Sequence, residues 1–153
     1  MSDLFLVLHV LAGALWFGGA VYVEGLLAGA ARSKDPSTIM TVGLHAGRTN
    51  QRLFNVAGVT VFITGILIVL DGSRSWKFDM IFVSIGFALS IFVLALSLFY
   101  FKPNSEELDE LIEEHGLTSD EAMAKGKQLG NMSHFVTLLL TIAIIAMVLK
   151  PGS

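Results

Sequence analysis

The composition of this 153-residue chain excludes several classes of protein. Hydrophobic residues make up 54% of it and charged residues only 15%, with a mean hydropathy of +0.70, whereas soluble domains have about 25% charged residues. The chain has no cysteine, which excludes disulfides, iron–sulfur clusters and thiolate sites. A net charge of −3 with no basic block argues against nucleic acid as a partner. The composition therefore indicates a membrane protein.

Four long runs contain no Asp, Glu, Lys or Arg, namely residues 4–23, 53–70, 80–101 and 128–149. Each is close to the roughly 20 residues that cross a bilayer core, and lipid leaves the backbone no hydrogen-bond partner outside a helix. We predict a single all-α membrane domain over residues 1–153, with four transmembrane helices in an antiparallel bundle. The expected helices are about 4–30, 37–70 (lipid-buried part about 51–70), 78–101 and 129–149.

The first run is expected to remain as a membrane helix and not to be cleaved as a signal peptide. No Lys or Arg precedes it, and it is longer than a typical apolar signal core.

Basic residues are distributed unevenly between the two ends of the predicted bundle. One end has Arg32, Lys34, Arg48, Arg52, Lys102, Lys125 and Lys127, whereas the other has Arg74, Lys77 and Lys150. By the positive-inside rule, the richer end is cytoplasmic. We therefore predict a multi-pass protein of a bacterial-type inner membrane, with both termini on the outer side.

The predicted connections differ in length. Pro36 is well placed to open the second helix, and residues 71–75 form a tight turn before the third. Residues 102–127 carry eight acidic residues, and apolar residues recur among them at helical spacing. This pattern predicts a short acidic cytoplasmic helix between helices 3 and 4, N-capped by Ser105. It is either a solvated helix or a docking surface for a basic partner.

The first helix carries an ionisable side chain inside the membrane, which is costly and therefore often functional. His9, Gly13, Trp16 and Ala20 follow at three- and four-residue steps and share one face. His9 either donates a hydrogen bond between helices or ligates a metal or haem. The GxxxG motif at residues 25–29 either packs against a helix or leaves room for a flat ligand such as a porphyrin.

The second helix carries a polar stripe formed by His45, Arg48, Arg52 and Asn55, which lie within about 80° on a helical wheel. Two guanidiniums and an imidazole make an anion-binding surface. The stripe binds lipid phosphates, the propionates of a tetrapyrrole, or Glu24 of helix 1.

The depth of each histidine in the bilayer limits which of them could bind the same metal ion. His115 lies in the acidic segment and is expected to be exposed. His9 and His134 differ by roughly 16 Å along the bilayer normal at 1.5 Å per residue, so they do not share one haem iron. On the outer side, His9, Met80 and Met147 lie at similar depths. Histidine with methionine is also a ligand set for copper(I), although methionines at such positions also serve packing.

Two segments carry a resemblance to a known family. Residues 8–19, LHVLAGALWFGG, resemble the first helix of the HemJ family, the four-helix protoporphyrinogen IX oxidases of bacteria, and are equally similar to CopD-like copper-resistance membrane domains and their small relatives. Residues 51–55, QRLFN, resemble the start of HemJ's second core helix. The resemblance implies that His9 is a haem ligand and that Arg52 and Asn55 are polar elements of the site. Where HemJ proteins have a His-x-Lys pattern opening the third helix, this chain has Asp79 in place of the histidine and Lys77 at the interface.

Together these observations predict a small membrane protein that binds b-type haem and acts in redox chemistry or electron transfer. As an enzyme it would be a HemJ-type oxidoreductase, and no catalytic residue is identified. The expected cofactor-binding residues are His9, Trp16, Arg48, Arg52 and Asn55, with His9 on the iron and His45 and His134 as further candidate ligands. One alternative is a cofactor-free accessory subunit of a larger complex, and another is a copper carrier using Met80 and Met147. Expected partners are membrane lipid and either a second copy or a larger assembly.

Overall fold

The computed structural model describes residues 2–72 and 76–151, and these residues form five α-helices. The helices are α1 (Ser2–Arg32), α2 (Pro36–Leu70), α3 (Ile81–Leu96), α4 (Lys102–His115) and α5 (Asp120–Leu149), with a π-helical segment (Ser97–Phe101) between α3 and α4. The described residues contain no strand, and four helical stretches are long and apolar enough to cross a membrane, at 3–32, 36–70, 81–115 and 120–149. The predicted all-α class with four spans is confirmed. Ser73, Arg74 and Ser75 of the predicted turn lie outside the described residues.

The first two helices form a hairpin joined by residues 33–35 and pack along one another. Pro36 opens α2, as predicted, and Asp35 is its N-cap. The Asp35 carboxylate accepts hydrogen bonds of 2.6 Å from the hydroxyls of Ser37 and Thr38. These bonds, with others from the two backbone N–H groups, stabilise the charged form and lower the pKa of Asp35 to about 2. The cap therefore stays ionised at neutral pH and fixes where α2 begins.

An acidic helix, α4, does lie between the third and fourth spans, but it continues from the third span without a break, so the predicted N-cap at Ser105 is wrong. α3 passes through the π-helical segment into α4, and Ser105 lies inside α4. Pro103 explains the wider turn, because it has no N–H to donate to Phe99 and its ring would clash with that carbonyl in a regular helix. The Lys102 N–H accordingly reaches five residues back to Ser97. The acidic helix is thus an extension of the third span.

The helix that contains the fourth predicted span, α5, starts at Asp120 with Ser119 as its N-cap, and thus extends beyond the predicted span at its N-terminal end. Its first turns pack against α4, where Leu108 and Ala122 are buried together with Met40 of α2. An ion pair between Lys125 and Glu107 connects α4 to α5, and another between Arg48 and Asp109 connects α4 to α2.

The middle of the bundle is a core cluster contributed by α1, α2, α3 and α5, formed by Trp16, Ala20, Ala57, Val93, Val136 and Leu140. Trp16 is only 3% exposed and meets the Phe54 ring edge-on at 5.6 Å. A Cβ atom on Gly58 would lie 2.9 Å from Trp16 Cζ2 and 2.9 Å from Leu94 Cδ2. Because Gly58 has no side chain, the indole can lie against the backbone of α2. The core cluster separates the two ends of the bundle.

Candidate functional site

His9 of α1 is hydrogen-bonded to α2 in a way that defines its tautomer. Its Nδ1 lies 3.0 Å from the Val61 carbonyl oxygen and 3.1 Å from Thr64 Oγ1. A carbonyl only accepts, and the Thr64 hydroxyl already donates to the Thr60 carbonyl at 2.6 Å, so the proton is on Nδ1. Nε2 of His9 therefore carries the lone pair, and it has no hydrogen-bond partner among residues 2–72 and 76–151.

The His9 ring lies where α1, α2 and α3 meet, and it is half-buried. A Cβ on Gly65 would be 3.4 Å from His9 Cε1 and 3.6 Å from Phe87 Cζ, so the ring borders a small residue of α2 and an aromatic residue of α3. A histidine whose Nδ1–H is bonded to a carbonyl is the usual arrangement of a metal ligand, because the bond orients the ring. The same bond also serves helix association in lipid.

Met80 and Met147 belong to the same end of the bundle. Met80 is half-buried and immediately precedes α3, and the methyl end of Met147 lies against the backbone of Gly86 in α3, next to Phe87. The part of the chain that the structure describes contains no group of three or more His, Asp or Glu side chains able to hold a metal. A metal at this end would depend on His9 alone or on His9 with a thioether.

At the opposite end, the structure does not show one of the three alternatives for the polar stripe, the pairing of Glu24 with an arginine of helix 2. Glu24 of α1 turns toward α5, where its Oε1 accepts hydrogen bonds from Ser133 Oγ at 3.1 Å and Thr137 Oγ1 at 3.2 Å. Its other oxygen, Oε2, pairs with His134 Nδ1. The Arg48 guanidinium instead binds the Asp109 carboxylate of α4 at 2.7 Å. The rotation of α1 about its axis, not its depth, decides which helix the carboxylate reaches.

Sequence reasoning missed Ser133 and Thr137, although a signal for them was available. Thr137 lies four positions after Ser133 and three after His134, so all three side chains lie on one side of α5, at about the depth of Glu24. Three polar side chains at helical spacing within a span indicate a polar contact with another helix. Glu24 and His134 also form a carboxylate–histidine pair, which orients the imidazole as in metal sites.

A cavity of about 770 Å³ opens beside this pair, between α1, α2, the π-helical segment, α4 and α5. Small residues create the space, among them Ala28, Gly43, Gly47, Gly126 and Gly130. His134 lines the cavity, and its side chain is 62% exposed. Ligand pockets in proteins typically measure about 300–1,000 Å³. The cavity is therefore large enough for a small-molecule ligand.

The predicted polar stripe of α2 is divided by the structure. Arg48 lines the cavity, whereas His45 and Arg52 are exposed and do not line it. Asn55 turns inward, and its Oδ1 accepts a 2.6 Å hydrogen bond from Ser97 Oγ in the π-helical segment. Trp16 lies in the core cluster, and no hydrogen bond to its indole N–H is formed within the described residues. The nine residues predicted as ligands or cofactor contacts are thus distributed over both ends of the bundle.

Comparison with known proteins gives one family. The family model described as "Predicted integral membrane protein (DUF2269)" matches residues 3–151, which is nearly the whole chain. The curated proteins and the solved structures gave no match.

Proposed function

The chain belongs to the DUF2269 family of predicted integral membrane proteins, and we propose that it binds b-type haem and serves redox chemistry or electron transfer in the membrane. The observation that carries this proposal is the tautomer of His9, whose Nδ1–H is donated to the Val61 carbonyl. Its Nε2 lone pair is then not engaged by another described residue and could bind an iron, and neutral imidazole is the commonest metal ligand in proteins.

The donor chemistry at His9 fits haem iron. A neutral ligand is favoured inside a span because burying a charge there is costly. Val61 and Thr64 hold the ring, and Gly65 and Phe87 border it. When bound, haem supplies one-electron chemistry, and the axial ligand, its hydrogen bonds and its burial adjust the reduction potential. His9 does not line the 770 Å³ cavity, so a haem held by His9 and a ligand in the cavity would occupy different ends of the bundle.

The resemblance of residues 8–19 and 51–55 to HemJ supports a finer form of the proposal, the oxidation of protoporphyrinogen IX. The third-helix motif differs from that family, because Asp79 stands in place of the histidine. Asp79 and Lys77 are both exposed and precede the start of α3 at Ile81. We therefore propose haem binding as the primary function and assign no catalytic role to these two residues.

The test is a spectrum of the purified, haem-supplied protein in mild detergent, oxidised and then reduced with dithionite. We expect sharp reduced α- and β-bands, and about one haem per chain or per oligomer by pyridine haemochrome. A featureless spectrum from folded protein would overturn the proposal. Bound copper that is lost on Met80→Leu or Met147→Leu would instead identify the copper carrier, and a co-purifying subunit without metal would identify the accessory subunit.

We further propose that both termini face the outer side of a bacterial-type inner membrane, because Lys and Arg are concentrated at the end formed by the α1–α2 connection and α4. The cysteine-free chain allows a direct test with single cysteines. In intact cells, we expect a membrane-impermeant maleimide to label Asp71→Cys, beyond the end of α2, and not Glu113→Cys in α4. Both positions are exposed, so the reverse pattern would show the opposite orientation.

We also propose that the chain acts as a homo-oligomer or within a larger membrane complex. Four spans enclose little interior, and many large apolar side chains, such as Tyr22, Val56 and Phe99, face outward. Lipid covers these side chains, and other helices can replace it.

A further inference from the structure

The cavity at the basic end of the bundle has features that haem ligation by His9 does not use. It measures about 770 Å³ and lies between four spans, on the side of the core cluster where most Lys and Arg residues are found. Ala20, Val93 and Val136 of the core cluster close it on one side. On the other side its lining residues are exposed, including Ala28 and Gly47. The cavity is therefore open to the outside of the protein on that side.

The walls and the mouth of the cavity differ in chemistry. Leu27, Phe54 and Leu129 give the interior an apolar lining, together with the small residues described above. Arg48 and Lys127 stand among the lining residues as cations. Such a site is complementary to a molecule with an apolar body and a polar group at one end. The apolar body would contact the apolar walls, and the polar group would stay at the charged mouth and avoid the cost of burial without a partner.

The charges at the mouth leave a positive surplus. Asp109 is paired with one nitrogen of Arg48, and a guanidinium has further N–H donors. Lys127 forms no ion pair or hydrogen bond within residues 2–72 and 76–151. Among the lining residues, two cations thus face one carboxylate. The Glu24 carboxylate beside the cavity is already bonded to Ser133, Thr137 and His134, so the mouth is complementary to a single negative charge. Basic pockets between transmembrane helices near the cytoplasmic surface are known to hold anionic lipid headgroups.

From the volume, the apolar walls and the surplus charge, we infer that this cavity binds an anionic phospholipid, with an acyl chain inside the bundle and the phosphate at Lys127 and Arg48. A lipid is the occupant that the chemistry favours, since the cavity lies within a bundle of four candidate membrane spans and combines apolar walls with a positive charge left unpaired among the described residues. The inference is independent of haem: a colourless protein that retains anionic lipid supports it and rejects the proposed function.

Three glycines provide matched variants for the test. A Cβ on Gly47 or on Gly130, both in the cavity lining, would meet no heavy atom within 4 Å. We use Gly47→Leu and Gly130→Leu to reduce the cavity volume, since a side chain at either position begins in open space at its Cβ. Gly18 has equally free surroundings but is exposed and does not line the cavity, so Gly18→Leu is the control. Circular dichroism and gel filtration establish that all variants fold.

The full-length protein is reconstituted in bilayers of equal phosphatidylglycerol and phosphatidylcholine, extracted in mild detergent, and its retained lipid is measured by mass spectrometry. We expect phosphatidylglycerol to exceed phosphatidylcholine by about fivefold or more, since each basic residue near the surface adds about that factor. Gly47→Leu and Gly130→Leu should lose the retained lipid, while Gly18→Leu keeps it. Lys127→Gln should reduce the preference for phosphatidylglycerol and leave the total amount similar.

Several results would overturn the inference. They are equal retention of the two lipids by the wild type, undiminished retention by both cavity-filling variants, and retention of a free fatty acid in place of phospholipid. Loss of haem bands in the cavity-filling variants with unchanged lipid would show that the cavity holds the tetrapyrrole.

Discussion

Replacing His9 with alanine is expected to remove the reduced haem bands, with bound haem falling more than about tenfold. The Nδ1–H of His9 is bonded to the Val61 carbonyl, which leaves Nε2 as the nitrogen that could bind a metal at this end of the bundle. Alanine removes the donor and leaves the Val61 carbonyl, which also accepts a hydrogen bond from Thr64. The measurement is haem content and the dithionite-reduced spectrum, compared at equal protein concentration.

Two further variants separate ligation from loss of packing. Thr64→Val removes the 3.1 Å contact to Nδ1 but keeps the Val61 carbonyl, so we expect haem to stay bound, with affinity lowered by about tenfold, the lower end of the usual cost of losing a partner of a ligand. His134→Ala alters the other oriented histidine, which lies at the cavity, and should leave the bands in place. If the bands survive in His9→Ala and disappear in His134→Ala, the iron ligand is His134 and the assignment to His9 is wrong.

Substitution of Gly58 by alanine is expected to lower the free energy of unfolding by about 1–3 kcal/mol, the usual effect of overpacking a close-packed interior. The new Cβ would lie 2.9 Å from Trp16 Cζ2 and 3.1 Å from Trp16 Cε2. The indole is rigid and only 3% exposed, so it cannot move aside without disturbing the core cluster. Lipid tails are as apolar as the helix surfaces, so the hydrophobic effect contributes little to helix association in a membrane. Close packing of this kind therefore provides much of the stability. Unfolding in mixed micelles of increasing sodium dodecyl sulfate, followed by circular dichroism, measures the change.

Gly18→Ala is the matched control for Gly58→Ala. A Cβ there meets no heavy atom within 4 Å, so stability should stay constant or rise slightly through the better helix propensity of alanine. Trp16→Phe in the Gly58→Ala background should recover part of the loss, with a coupling energy above about 0.5 kcal/mol. Equal stability of the Gly58 and Gly18 variants would show that the indole adapts and that the close approach is not required.

Several predictions from the sequence hold because they depend only on position along the chain. The four spans follow from uncharged runs that match the bilayer thickness, and Pro36 opens α2 where it was expected. A hydrogen bond from His9 to another helix was one of the two interpretations of the sequence, but its partners Val61 and Thr64 were not predictable, since they require α2 to lie beside α1 in a particular register. The continuity of α3 with α4 was also missed, because Ser105 followed by acidic residues matches the pattern of an N-cap, and that pattern does not show whether the residues before it are helical as well. Here a π-helical turn accommodates Pro103.

The amino-acid sequence by itself determined that this is an all-α membrane protein with four spans, since lipid requires uncharged segments of that length to be helical. It also determined the depth of each polar side chain, which follows from the rise of 1.5 Å per residue. Only the tertiary structure decided which helix each side chain faces. Glu24 reaches Ser133, Thr137 and His134 instead of an arginine, and the small residues of four elements enclose a cavity. The physical reason is that the rotation and neighbours of a helix in lipid depend on side-chain packing between helices, which no single helix specifies.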